Sequence, residues 1–274
     1  MRYAICVTNL GTYSDPAAVA RLAVAAEEAG WEGLFIWDHL GFVWGAPACD
    51  PWVALTAAAA RTTRLRLGTA VTPVPRRRPQ VLATTLASLD ILSGGRATLG
   101  VGIGGVPQEY AAFGERDAAT ERAAMLDEAL DIMNGLWSGE PVTYRGRYYT
   151  VEGVTLAPTP VQRPRVPVWV GGNSGPALRR AARWDGWMPD SADPEKIVMS
   201  PADLAAKLDV VQSHRTDGGP FDVVFMGYST PADGALAREY ADAGATWWLE
   251  QLHDMRGSAE EMLARTKAGP FTSA

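Results

Sequence analysis

The chain has 274 residues and a mass of 29.3 kDa; 47% of its residues are hydrophobic and 20% charged, and 25 Lys+Arg against 31 Asp+Glu give a formal net charge of −6. Such a composition excludes a disordered or fibrous chain, the acidic balance argues against nucleic-acid partners, and two cysteines, Cys6 and Cys49, do not make a disulfide framework. No apolar run approaches the ~20 residues of a membrane span, and residues 3–7 enter a strand with no signal-peptide pattern before them, so the cytoplasm is the expected location.

Apolar residues recur with a period of two, then of 3.6, from one end of the chain to the other. The first strand is predicted over residues 3–9. A helix follows over 15–29, with Pro16 suited to its first turn and Gly30 ending it. Residues 33–37 and 50–62 form the second strand and helix, and 65–71 and 78–92 the third pair. A fourth strand at 97–103 leads to a helix at 118–137, whose Leu126, Ala129, Leu130, Met133 and Trp137 share one face. The remaining pairs are 168–170 with 176–182, 185–188 with 201–214, 222–227 with 231–243, and 246–251 with 258–267.

Eight strand-then-helix units in this length indicate an α/β fold, a single (β/α)8 TIM barrel spanning residues 1–274, with a doubly wound open sheet as the competitor. Two connections are extended, 38–49 after strand two and 102–117 after strand four. Both run from strand to helix, which places them at the barrel end that carries catalytic residues. Residues 139–167 run from helix to strand and belong at the opposite end; their core, 141–151, reads as a hairpin turning near Arg145 and Gly146.

Candidate chemistry collects at the strand ends. Trp37-Asp38-His39-Leu40 closes strand two. His39 can move a proton or hold a developing anion near neutral pH, or it caps backbone; Asp38 either orients His39 or caps the loop. Trp44 either walls an aromatic ligand or packs its loop. Gly171-Gly172-Asn173-Ser174 precedes a helix, where unpaired amides suit a phosphate, although a tight turn needs the same residues. The run from Gly100 to Gly105 resembles a dinucleotide fingerprint but lacks the acidic partner. It reads instead as glycines, Gly104 among them, that let a flat ligand lie against strand four. Arg76-Arg77-Arg78 opposes the dipole of the helix it precedes and would suit a bound anion, or forms a solvated face. Glu109 is a catalytic acid or the anchor of its loop, and Asp90 and Arg96 flank a structural turn. No HExxH, CxxC, GxSxG or GxxxxGK[ST] occurs, so metal-dependent and nucleophilic hydrolysis are unsupported. Cys6 reads as a small core residue.

Taken in order, these segments resemble the bacterial-luciferase-like superfamily of flavin- and deazaflavin-dependent oxidoreductases. The resemblance is carried by Ala25-Ala26-Glu27-Glu28-Ala29-Gly30-Trp31, Trp37-Asp38-His39 and Leu67-Gly68-Thr69. It continues through the run from Thr85 to Arg96, Gly100-Val101-Gly102, Glu109 with Ala112-Phe113-Gly114, and the run from Pro167 to Gly172. It implies a barrel whose catalytic end holds FMN or the deazaflavin coenzyme F420. The histidine matching His39 lies near the reactive ring, beside Asp38. Thr69, Ala70, Val71 and Thr72 match a bulge that often holds a non-prolyl cis peptide against that ring. Gly171 and Gly172 match the phosphate-binding turn, and Glu109 a glutamate common to the family. One departure stands out: deazaflavin-dependent glucose-6-phosphate dehydrogenases carry a catalytic Glu where this chain has Gly105, so sugar-phosphate oxidation is not expected.

The expected function is therefore that of an F420-dependent oxidoreductase passing a hydride to or from a small organic substrate. An FMN-dependent monooxygenase with a reductase partner is the alternative, and a non-catalytic flavin-binding barrel a further one. Three features favour F420: His39 followed by Trp44, the lack of a long lid to shield an oxygen adduct, and Arg76–Arg78 as partners for the acidic F420 tail. Loops 41–48, 105–114 and 190–200 would enclose the substrate, and Trp44, Trp184, Trp187 and Met188 hint that it is apolar or aromatic. Relatives are often dimers, so the resemblance admits a homodimer, but the oligomeric state is not legible in the sequence.

Overall fold

The computed structural model describes residues 1–193 and 195–271. Pro194, within the expected loop 190–200, and residues 272–274, within the expected domain 1–274, lie outside the described residues. In chain order the first half contains β1 (Arg2–Val7), α1 (Pro16–Glu28), β2 (Gly33–Ile36), α2 (Pro51–Ala59), β3 (Arg66–Thr69), β4 (Thr72–Pro73), α3 (Pro79–Ser93), β5 (Ala97–Gly102), α4 (Gln108–Ala111) and α5 (Ala119–Ser138). A hairpin of β6 (Val142–Arg145) and β7 (Thr150–Val154) follows. The second half contains β8 (Val168–Gly171), α6 (Gly175–Ala181), β9 (Gly186–Met188), α7 (Pro201–His214), β10 (Asp222–Gly227), α8 (Gly234–Asp242), β11 (Trp247–Leu252) and α9 (Ala259–Lys267).

Strand pairing decides between barrel and open sheet. β1 lies between β2 and β11, β3 pairs with β5 as well as β2, and every neighbouring pair around the ring is parallel. No edge remains, so this is a closed (β/α)8 barrel. The alternation of each strand sorts its side chains. Ala4, Cys6, Phe35, Trp169, Val224, Trp247 and Leu249 fill the barrel axis, while Ile5, Leu34, Ile36, Phe225 and Trp248 pack outward in the larger core shared with the helices. Phe35 stacks on Trp169 with centroids 5.1 Å apart, and Trp169 meets Trp247 at 5.5 Å, so aromatic rings occupy the interior of the barrel.

Helix starts follow local chemistry. The Asp15 carboxylate accepts from the Ala17 amide, Asp50 accepts from Trp52 and Val53, and reciprocal capping boxes join Ser200 with Asp203 and Ser258 with Glu261. The hairpin turn is held by Glu128 of α5, whose carboxylate accepts the amides of Arg147, Tyr148 and Tyr149. Asp90 accepts the Val161 and Gln162 amides, and Arg96 donates to backbone carbonyls including those of Leu65 and Thr62, as the structural reading of both expects.

Three local features depart from the sequence reading. Strand three does not run unbroken over 65–71; it stops at Thr69 and resumes as β4, with a cis peptide between Ala70 and Val71, inside the 69–72 bulge that the family resemblance implies. Short 3-10 turns at Gly11–Ser14, Gly41–Trp44 and Val74–Arg76, and the one-turn helix α4, were not predicted. Two of the strand-four glycines have a further employment beside the expected one. A Cβ on Gly100 would collide with the Thr69 carbonyl oxygen, and one on Gly102 would sit 2.7 Å from Val71 Cγ2. Gly100 and Gly102 make room for the neighbouring bulge, and Gly102, Gly104 and Gly105 line the same cavity as Val71.

Candidate active site

A cavity of about 480 Å³ opens at the C-terminal ends of the strands, within the usual size for a small-molecule site. Ala70 and Val71 of the bulge form one wall, the Gly102–Gly105 loop another, and Gly171, Gly172 and Met188 a third; Met226, Tyr228, Gln251, Trp37 and His39 complete it. Two carboxylate residues, Asp190 and Asp193, also line it, and no lysine or arginine among the described residues does.

His39 is fixed from both sides of its backbone. Buried Asn9, just past β1, donates from Nδ2 to the His39 carbonyl (2.9 Å) and accepts the His39 amide at Oδ1 (3.1 Å). The imidazole Nδ1 lies 3.1 Å from Oε1 of Glu109, and the same oxygen accepts the Leu40 amide at 2.6 Å. Glu109 Oε2 pairs with Arg76. Burial alone would raise the Glu109 pKa, but the bonds from His39 and Leu40 and the Arg76 charge outweigh it and hold the carboxyl below its ordinary 4.5. An ionised carboxylate only accepts, so in the neutral ring the proton sits on Nδ1 and Nε2 is an unprotonated nitrogen.

The positions of the other predicted site residues divide cleanly. Ala70, Val71, Gly104, Gly171 and Gly172 line the cavity with His39. Asp38 does not: it is buried and held by Arg76 and Arg77. Glu109 also stays behind the wall and reaches the cavity only through His39, anchoring the loop at Leu40 as the second reading of it expects. Trp44 packs edge-on against His39, centroids 4.7 Å apart, and is about half exposed, so it shields the imidazole instead of walling the cavity. Thr69 and Thr72 are fully buried and hydrogen-bond each other behind the bulge. Asn173 spends its side chain on the Asp190 backbone, while the Ser174 hydroxyl oxygen accepts the Ala177 amide to cap α6 and keeps its O–H to donate. The amides of Asn173, Ser174 and Gly175 donate to no described residue.

Two further expectations change. Arg76 and Arg77 are not an open anion site, because Asp38, Asp50 and Glu109 engage them, whereas Arg78 is exposed and forms no ion pair among the described residues. The charges of Asp38 and Asp50 overcome the effect of burial and raise the Arg77 pKa. Trp184 and Trp187 pack in the hydrophobic core, and of the aromatic and Met group only Met188 lines the cavity. Sequence reasoning also missed cavity residues. Tyr228 donates its hydroxyl to the Asp193 carbonyl (2.7 Å) and lies 2.9 Å from Nε2 of buried His253. Since that hydroxyl proton is committed, the His253 Nε2–H donates to Tyr228. Burial and the Arg256 charge lower the His253 pKa, which keeps the ring neutral, and burial lifts the Tyr228 phenol to about 12. Gln251 was missed as well, although it continues the inward alternation of Trp247 and Leu249.

A family model described as luciferase-like monooxygenase matches residues 3–270. An F420-dependent glucose-6-phosphate dehydrogenase of Gordonia bronchialis is 33% identical over 257 residues, covering 90% of this chain and 75% of that one. The chain spans about half the length of two further relatives of the same description, from Microbacterium testaceum and Nakamurella multipartita. Among solved structures, an F420-dependent secondary alcohol dehydrogenase in complex with an F420-acetone adduct superposes with a TM-score of 0.80 at 20% identity, covering 97% of both chains. A monooxygenase from Streptomyces bottropensis gives 0.77 at 23%, covering 98% of this chain and 97% of that one. At those identities the likeness speaks to the fold. Among the described residues no helix is long and apolar enough to cross a membrane, and no cluster could hold a metal ion.

Proposed function

The chain belongs to the luciferase-like monooxygenase family and is an oxidoreductase, and from that premise we propose that its cavity binds coenzyme F420 and serves hydride transfer to or from a small uncharged substrate. The observation that carries the reading is one cavity lined together by Ala70 and Val71 of the bulge, His39 and the Gly171–Gly172 turn.

The residues present suit a flat ring with a phosphate-bearing tail. Val71 offers an apolar surface, and a Cβ at Gly105 would meet nothing within 4 Å, so the neighbouring loop leaves open space. The free amides at Asn173, Ser174 and Gly175, with the Ser174 hydroxyl, can donate to a phosphate oxygen. Bound F420 supplies a ring carbon that gives or takes a hydride and, lacking the N5 of FMN, does not readily activate oxygen. The chain supplies the proton. His39 Nε2 accepts one from a substrate hydroxyl or, protonated, returns one to a substrate oxygen, while Glu109 stabilises the imidazolium through Nδ1.

Support for F420 over FMN comes from the relatives named for F420 along most of this chain and from the compact loops; of the arginine run only Arg78 is left for an acidic tail. An FMN-dependent monooxygenase remains the second reading, favoured by the family description itself. The uncharged substrate follows from the cavity wall, where Asp190 and Asp193 stand without a lysine or arginine and Gly105 brings no acid. A sugar phosphate would meet like charge there. The test is the visible spectrum of the protein holding oxidised F420, under nitrogen, with uncharged alcohols and with glucose 6-phosphate. Bleaching by an uncharged alcohol is expected; bleaching by glucose 6-phosphate alone would overturn the substrate class.

A further inference from the structure

We propose that Gln251 recognises the polar edge of the flavin-type ring, and that the free protein carries this residue at a cost to its own stability. The inference rests on the cofactor reading above and extends it to a residue outside the family motifs read from the sequence.

The register of β11 singles the residue out. Trp247 and Leu249 point into the barrel axis, and Gln251, two residues on, takes the next inward position beside Cys6 of β1. A strand buried on both faces is normally apolar throughout, and the other inward residues near this height, Met188, Met226 and Val71, are so. Gln251 is 2% exposed, lines the cavity, and its buried Nε2 meets no oxygen or nitrogen acceptor among the described residues, the Cys6 sulfur being its one polar neighbour. Its neighbour Cys6 is a poor substitute for one. A thiol is a weak acceptor, and burial pushes that of Cys6 up to about 12, so no thiolate is offered.

An unmet buried N–H is expensive, whereas an apolar replacement of similar shape is close to neutral or stabilising. A carboxamide kept in that position therefore answers to something that arrives later. It presents a donor and an acceptor side by side, and either can be turned toward a ligand. The pyrimidinedione edge of flavins and deazaflavins carries an N–H between two carbonyls, which complements that pair. One polar group on an apolar wall also fixes the orientation of a flat ligand, as small-molecule pockets commonly do.

The experiment compares the whole wild-type chain with Gln251→Leu, and with Gln251→Met should the leucine variant not fold. Cofactor dissociation constants are measured by fluorescence titration with F420 and with FMN, alongside the thermal midpoint of each cofactor-free protein. Binding of the preferred cofactor should weaken about 10-fold, the scale of one hydrogen bond, while the cofactor-free midpoint stays level or rises. Unchanged affinity in a folded variant overturns the proposal. So does a lower midpoint with intact binding, which would make Gln251 a structural partner of Cys6. If the wild-type protein binds neither F420 nor FMN, the cofactor reading itself has failed and this inference falls with it.

Discussion

His39 holds its two ring nitrogens in different surroundings: Nδ1 faces a buried carboxylate, which leaves Nε2 for exchange. Replacing it with Gln should lower turnover by ~100-fold, the usual scale for losing a general acid or base, with the cofactor Kd barely moved. Turnover near wild type would make His39 a structural residue. Glu109→Gln tests the support. Because the Glu109 pKa is depressed on folding, its contribution to stability is present above the ordinary 4.5 and is lost as pH falls through the lower folded value. The variant should therefore show a shallower fall in stability below pH 4.5. It should also be less stable at neutral pH by ~3–5 kcal/mol, because Arg76 loses one of its buried counter-charges. Denaturation across pH would check both. His39 was legible because a titratable residue stands at the end of a strand. Its partner was not, since Glu109 lies 70 residues away and reaches it only once β2 and β5 share a barrel. The arginine run misled for the same reason: a local pattern cannot reveal that Asp38 and Asp50 will arrive beside it.

At the level of elements, the site is shaped by one irregularity and the glycines that tolerate it. The third strand breaks between Thr69 and Thr72, and Val71 turns into space left by Gly102 and Gly171. Gly100 and Gly105 belong to one glycine-rich run yet should respond differently. Gly100→Ala drives a methyl group into the Thr69 carbonyl and should cost ~1–3 kcal/mol, as overpacking does. Gly105→Ala meets open space and should leave the denaturation midpoint near wild type. Equal effects would mean that the bulge does not depend on Gly100. The repeated glycines were visible in the sequence, but a glycine left out for a ligand and one left out for a neighbouring strand read alike. Helix starts were far more legible, because Asp15, Asp50, Ser200 and Ser258 cap them through residues two or three positions away.

For the whole molecule, eight alternating units sufficed to anticipate closure, since a barrel is counted from local periods that each strand and helix declares separately. The cavity could be anticipated only as an end of that barrel. Its wall combines residues from seven strand ends that no stretch of chain brings together, which is why Tyr228 and Gln251 escaped notice. The central claim is that this wall receives a deazaflavin. Paired titration of the cofactor-free protein with F420 and FMN, at matched ionic strength, tests it most directly. The account predicts saturable binding of F420 with a Kd at least about tenfold below that for FMN, a difference of ~1.4 kcal/mol. Tighter binding of FMN would contradict it and move the protein to the monooxygenase reading.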